Sequence, residues 1–208
     1  MLAFLRGKAS DRKLRLFACA CCRFLLSPFF IFDRDIEGTI ETSEWHADGL
    51  VGEDVRQEAE QAARYVEFGT SYDGLVNQAL IATVSETLSV ADVWAFLIRY
   101  SQGYAHDDNR IPRADELASC GCRLLRDIFG PIPFRPVVDE ASWLAWNDGT
   151  IPKLAQAVHD DRAFGRMPIL ADTLEEAGCS DPAILSHCRR PGDHVWGCWV
   201  IDLILGKE

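Results

Sequence analysis

The sequence predicts an all-α fold, an irregular array of roughly eight to ten helices whose C-terminal half is built of short helix-turn-helix units. Three observations predict it. Apolar residues recur three and four apart in most segments, which is the period of a helix with one buried stripe. Helix caps and breakers punctuate the chain at helix-length intervals. No stretch shows the strict apolar–polar alternation of a half-buried strand. The 208 residues are 48% hydrophobic and include six tryptophans, enough to bury a core and too apolar for a disordered chain.

The first predicted helix is capped by Ser10 or Asp11, runs through Leu14, Phe17, Ala18, Cys21 and Leu25, and stops near Ser27-Pro28. A second spans Asp35 to Ala47 and ends at Asp48-Gly49. A third covers Glu53 to Val66, with Val55, Ala59, Ala62, Ala63 and Val66 expected on its buried side and Gly69 closing it. Tyr72 to Thr87 and Val90 to Ser101 read as an antiparallel helix pair, broken where Ser89 and Asp92 approximate a capping box. His106 to Asn109 forms a polar turn, and Ala114 to Phe129 is the next helix, ended by Gly130-Pro131.

The Pro-punctuated stretch to Pro136 must be extended, because residues before proline avoid the helical region. It divides a region 1–130 from a short-helix region 131–208, the two expected to pack as one globular unit. Beyond it, helices fit Glu140 to Trp146, Pro152 to Asp160, Met167 to Ala177, Pro182 to Arg189 and His194 to Leu205. Asn147-Asp148-Gly149, Gly178 and Pro191-Gly192 mark turns, and Asp181-Pro182 is a cap followed by a first-turn proline.

The net charge is −11, distributed unevenly: residues 1–35 hold seven basic and three acidic side chains, a balance of +4, which leaves −15 on the rest. An acidic body argues against nucleic acid as a partner, since that needs a basic footprint to release counterions. The longest apolar stretches are interrupted by Arg23 and Asp202, so neither reads as a membrane span. Without the pattern of a secretory leader the expected location is the cytoplasm, where eight cysteines stay reduced.

Arg12 to Arg23, reading RKLRLFACACCR, and Leu124 to Val137, reading LLRDIFGPIPFRPV, resemble an uncharacterised planctomycete paralogous family. The match extends over WNDGTIPKLAQAVHDDRAFGRMPILADTLEEAGC, Trp146 to Cys179. It is most specific at HCRRPGDHVWGCWVIDLILGKE, His187 to Glu208. The resemblance implies no established activity. His159 departs from it, standing where relatives usually carry an aromatic residue. The segment PILADTLEEAGCSDPAIL is also similar to the helix-turn-helix of planctomycete repeat-companion domains, which implies an interaction module.

Two clusters of residues could carry chemistry. On the first helix, Cys21 shares the apolar stripe, whereas Cys19 and Cys22, three apart, fall beside Arg12, Arg15 and Arg23. There they either pack beneath a neighbouring helix or supply two ligands to a soft metal. Near the C-terminus, His194 and Cys198, four apart on an expected helix, could form a second pair, so that Cys19, Cys22, His194 and Cys198 compose a zinc site. Adjacent His187 and Cys188 do not readily point at one ion. The His-Asp pairs His106-Asp107 and His159-Asp160 fall at helix ends or turns, where solvated charge is the ordinary explanation. Among known motifs there is no phosphate-binding glycine loop, no H-E-x-x-H and no G-x-S-x-G.

The leading functional expectation is therefore a non-catalytic protein-interaction or regulatory module that needs no cofactor. It would engage an unidentified protein partner through Arg12, Arg15 and Arg23 or through Trp143, Trp146 and Trp196. The tryptophans have core packing as their alternative role. The alternative function is a Cys/His zinc-binding protein, structural or hydrolytic; an acidic mimic of nucleic acid is a third and weaker reading.

Overall fold

A computed structural model describes residues 9–26, 34–65, 73–85, 114–130, 141–192 and 194–207. Every regular element among them is helical, as the periodicity predicts. The helix expected at 90–101, the turn at 106–109, the stop at Gly69 and the extended stretch at 131–136 lie outside the described residues. None of the described helices is long and apolar enough to cross a membrane. The chain forms two compact units, Met1–Cys122 and Arg123–Glu208.

In the first unit, α1 spans Asp11–Leu26, α2 Arg34–Ala47, α3 Glu53–Ala63 and α4 Asp73–Val84. Helix α2 packs against the other three, and α4 closes the group against α1 and α3. Ser10 caps α1, its Oγ accepting the Lys13 N–H at 3.2 Å. The sequence predicts one buried stripe on α1, but every residue from Arg15 to Cys22 is buried. The arginines expected to face solvent or a partner are used inside the unit. Arg15 donates to the carbonyls of Thr83 at 2.7 Å and Ser85 at 3.0 Å, Ser43 Oγ also donates to Thr83, and Arg56 donates to the Val84 carbonyl. These bonds satisfy the C-terminal carbonyls of α4, which have no partner within their own helix. Arg23 grips Glu44 with two nitrogens, each at 2.9 Å, and Arg12 pairs with Asp48 at 2.7 Å.

The same chemistry turns α3 away from its expected orientation. Arg56, 2% exposed, and Ala63 face inward, while Val55 is 38% exposed. Arg56 also bonds Glu53 and Glu60, one turn behind and one turn ahead.

Helix α5, Ala114–Phe129, carries the boundary between the units within it, after Cys122 rather than at the Gly130-Pro131 break. Its last turn belongs with the second unit because Asp127 bonds residues there, as described below. That unit continues with α6, Ala141–Leu144; α7, Thr150–Asp160; α8, Met167–Glu176; α9, Pro182–Arg189; and α10, Trp199–Leu205. Single 3-10 turns at Trp146–Asp148 and Phe164–Arg166 join them. Helix α7 packs against α6, α8 and α10, while α9 bridges α8 and α10. A shared apolar cluster fills the middle, with Ile151, Val158, Leu170, Leu174, Ile184 and Ile201 essentially inaccessible to solvent.

Of the expected stops, α3 ends earlier, at Ala63 rather than Val66, and α4 at Val84 rather than Thr87, while those around α8 and α9 behave as the sequence predicts. Gly178, at φ +93°, ends α8 with the Cys179 N–H returning to the Leu174 carbonyl at 2.9 Å. Asp181 Oδ1 caps α9 by accepting the Ala183 N–H at 2.7 Å. The last helix is a correction: it was expected from His194 but begins at Trp199. Gly197 adopts φ +93°, outside the helical region, and the Cys198 N–H closes a turn onto the Val195 carbonyl at 3.0 Å.

Candidate metal centre

Four side chains from three separate parts of the second unit converge on one buried point. Asp127 comes from the last turn of α5, His187 from the last turn of α9, and His194 and Cys198 from the loop that leads into α10. Their candidate ligand atoms all lie within 4.8 Å of one another. The side chains of Asp127, His187 and His194 are 0%, 6% and 4% exposed, and Cys198 is fully buried.

Local structure explains each placement. Gly130, at φ +75°, ends α5 against the Trp199 indole; a Cβ there would come within 3.1 Å of the ring. Trp199 in turn packs on the His187 imidazole, centroids 5.3 Å apart. His187 points at the centre while its neighbour Cys188 enters the apolar cluster, which separates the two adjacent candidates. The turn at Gly197 folds Cys198 back on His194, so that Sγ and Nδ1 lie 3.9 Å apart without any helix between them.

The contacts define a point of convergence rather than a relay. His187 Nε2 lies 3.2 Å from Asp127 Oδ1 and 3.2 Å from Cys198 Sγ. His194 Nδ1 lies 2.7 Å from the same Oδ1. A Cys-His-Asp nucleophile system needs the thiol on one ring nitrogen and the carboxylate on the other. Here one nitrogen of each ring faces both, so the arrangement is not that of a thiol hydrolase. Tetrahedral zinc with nitrogen, oxygen and sulfur ligands at its usual bond lengths sets neighbouring ligand atoms about 3.3–3.6 Å apart. The observed 2.7, 3.2, 3.2 and 3.9 Å bracket that range. The donor set, its ligand atoms within 4.8 Å of one another, could hold a metal ion and is compatible with zinc.

The electrostatics agree. Burial pushes the Asp127 carboxyl up, but the bonds from His187 and His194 outweigh it, and the net shift is downward, keeping the group ionised. Burial holds His187 toward its neutral, metal-binding form against the pull of Asp127. Burial, reinforced by the Asp127 charge, drives the Cys198 thiol well up, so only a cation would release its proton near neutrality. Asp127 Oδ2 accepts the Val195 N–H at 2.9 Å, which fixes the carboxylate with Oδ1 alone toward the centre. His194 Nε2 is buried without a hydrogen-bond partner among the described residues.

Of the four residues expected to share a zinc ion, His194 and Cys198 are together. Cys19 and Cys22 lie on α1 in the other unit, and among the described residues no group of convergent ligands includes them. Both are buried; burial raises the Cys22 thiol to about 12 and the Cys19 thiol further. Cys19 Sγ sits 4.0 Å from the Ile40 carbonyl. Of the expected contact tryptophans, Trp143 is 5% and Trp196 7% exposed, while Trp146 packs half-buried on the apolar cluster. His46 lies 3.8 Å from Glu53, and Asp160 bonds His159 and Gln156 at the end of α7. The pairs at 106–108 lie outside the described residues.

Sequence reasoning missed Asp127 as a ligand and set His187 aside. The signal for Asp127 was present: it lies three residues after Leu124 and seven after Cys120, on a stripe where both are buried. A carboxylate on an apolar stripe requires a partner.

Fold and site together define an all-α protein with a closed, buried Asp/His/His/Cys cluster able to hold a metal ion. No family model, curated protein or solved structure matches the chain.

Proposed function

We propose that the C-terminal unit is a zinc module in which Asp127, His187, His194 and Cys198 hold one structural ion, and that the protein is non-catalytic. The observation that carries this reading is the convergence of four donors of three kinds, from three chain segments, with their ligand atoms within 4.8 Å of one another. Four protein ligands fill a zinc coordination sphere, whereas catalytic sites keep one position for water or substrate. The burial of all four supports a closed site. Zinc bound there supplies a cross-link and a compensating positive charge. The chain's own residues supply the geometry: Val195 orients Asp127, and Trp199 backs His187.

The test is the metal content of the purified, untagged protein by elemental mass spectrometry, with thermal unfolding followed before and after chelation. About one zinc per chain, with a lower melting temperature once it is removed, is the expected result. Failure to take up zinc from micromolar solution, with unfolding indifferent to added metal, overturns the proposal.

A further inference from the structure

A histidine that binds metal through one ring nitrogen is usually oriented by a hydrogen bond from the other. His187 has Trp199 against its ring, but His194 Nε2 has no such bond among the described residues. Apart from the edge of the His187 ring, centroids 4.8 Å apart, the orientation of His194 rests on its backbone, which belongs to a loop without regular structure at residues 190–192 and 194–198. Residues of α7 and the turn after it grip that loop. Trp196, two residues from each of the two ligands the loop carries, is 7% exposed yet not part of the apolar cluster. It packs instead on polar groups: the edge of the His159 imidazole, centroids 4.5 Å apart, and the Arg162 guanidinium 4.3 Å from its ring centre.

Those partners are themselves fixed. His159 is 3% exposed; its Nδ1–H donates to Asp160 Oδ1 at 3.0 Å, and its Nε2 accepts from Lys207 Nζ at 3.4 Å. Lys207 follows α10, so His159 touches the chain on both sides of Cys198. Arg162 holds φ +52°, a left-handed conformation that a non-glycine residue keeps only where its surroundings impose it. That conformation brings the guanidinium over the indole.

We propose that Trp196 is the positioning residue of the metal centre, fixing His194 and Cys198 against α7 in place of the missing bond to His194 Nε2. This rests on the zinc reading above. Held on His159 and Arg162, Trp196 restricts the loop so that less ordering remains to be done when the ion binds.

The test compares zinc affinity, by competition with a chromophoric chelator, and the visible spectrum of the cobalt-substituted protein across variants of the full chain. Trp196→Ala should weaken zinc about 10–100-fold, as loss of an orienting partner does, and broaden the cobalt bands. Trp196→Phe and Arg162→Gln, which keep an aromatic anchor, should lose less and give a graded series should Trp196→Ala not fold. Ile151→Ala, in the apolar cluster of the same helix α7, is the control for mere destabilisation and should leave the affinity of the folded protein unchanged. Equal affinity across the Trp196 and Arg162 variants, or an Ile151→Ala loss as large as theirs, overturns the inference. Wild-type protein that binds neither zinc nor cobalt overturns the zinc reading itself and is distinct from both results.

Discussion

Cys198→Ser separates a metal centre from a hydrogen-bonded polar cluster, because the two give the substitution very different sizes. The replacement is nearly isosteric, and a serine hydroxyl at this position can still bond His187 Nε2, which now lies 3.2 Å from the sulfur. In a metal-free network the expected cost is about 1 kcal/mol, that of exchanging one buried polar contact for a similar one. In a zinc centre the thiolate is one of four ligands. Structural zinc sites are worth about 10–16 kcal/mol in total, so a ligand's even share is about 2.5–4 kcal/mol, or roughly 10²–10³ in affinity. Linkage converts this into a thermal shift. At a free zinc concentration about 100 times the dissociation constant, wild-type protein gains about 2.7 kcal/mol, which for a unit of this size is roughly 10–20 °C. The serine variant at the same zinc concentration should gain almost nothing, while the two metal-free proteins unfold within a few degrees of each other. Differential scanning fluorimetry across a zinc titration, buffered with a weak chelator, measures all four states. Identical zinc responses from wild type and Cys198→Ser would refute the coordination argument.

Arg56→Ala should cost about 1–3 kcal/mol in urea unfolding, because it leaves the buried Val84 carbonyl without its donor, while Glu60 keeps its bond to Arg64. The same variant should let the Glu53 carboxyl, held down to about 2 by the Arg56 guanidinium, return toward the ordinary range, as a carbonyl NMR titration would show. In the wild type that pairing favours folding above the unfolded carboxylate pKa and ceases to as pH falls toward 2. At the alkaline end, burial raises the thiols of Cys19, Cys21 and Cys22 in the fold, while their unfolded counterparts ionise near 8.5. Above that pH the unfolded state binds fewer protons, so stability is full below about 8.5 and falls as pH rises toward 12, by up to about 1.4 kcal/mol per pH unit per thiol. Urea unfolding between pH 7 and 11 tests this, and a flat profile would contradict the burial.

The parts of the fold that were legible are those written in local chemistry. Asp181-Pro182 and the Gly130 stop gave α9 and α5 their limits, because a cap or a positive-φ glycine acts on its own neighbours. What failed depended on partners distant in sequence. The period on α1 promised an exposed arginine face, but Arg15 found carbonyls 68 and 70 residues away and Arg23 a carboxylate 21 away. Helix α3 turned inward on Arg56 rather than Val55 for the same reason: a guanidinium with three acceptors outweighs one valine. At the centre, His194 and Cys198 were paired by a four-residue spacing that suits a helix, yet a turn at Gly197 brings them together. Asp127 stands 67 residues before His194, a separation that no local spacing rule reaches.

The location of the cluster follows from what the apolar core of the second unit leaves undone. Helices of four to eleven residues, such as α6 and α7, are too short to persist alone, and the cluster around Ile151, Leu170 and Ile201 holds them together. That cluster includes no side chain from α5, nor His187, His194 or Trp196. The end of α5, the end of α9 and the loop before α10 meet instead at Asp127, His187, His194 and Cys198. Without an ion, their junction is a buried carboxylate, two imidazoles and a thiol, groups whose burial costs free energy that their mutual hydrogen bonds only partly offset. A divalent cation would satisfy all four at once and would tie the end of α5, which adds no side chain to the apolar cluster, to the end of α9 and the loop before α10, which reach it through Cys188 and Cys198. The expected consequence is selective: chelation should raise amide exchange at residues 123–130 and 187–198 first, and leave α7 and α8 protected until the apolar cluster itself opens. Uniform loss of protection across the unit would mean that the ion holds the core rather than the junction.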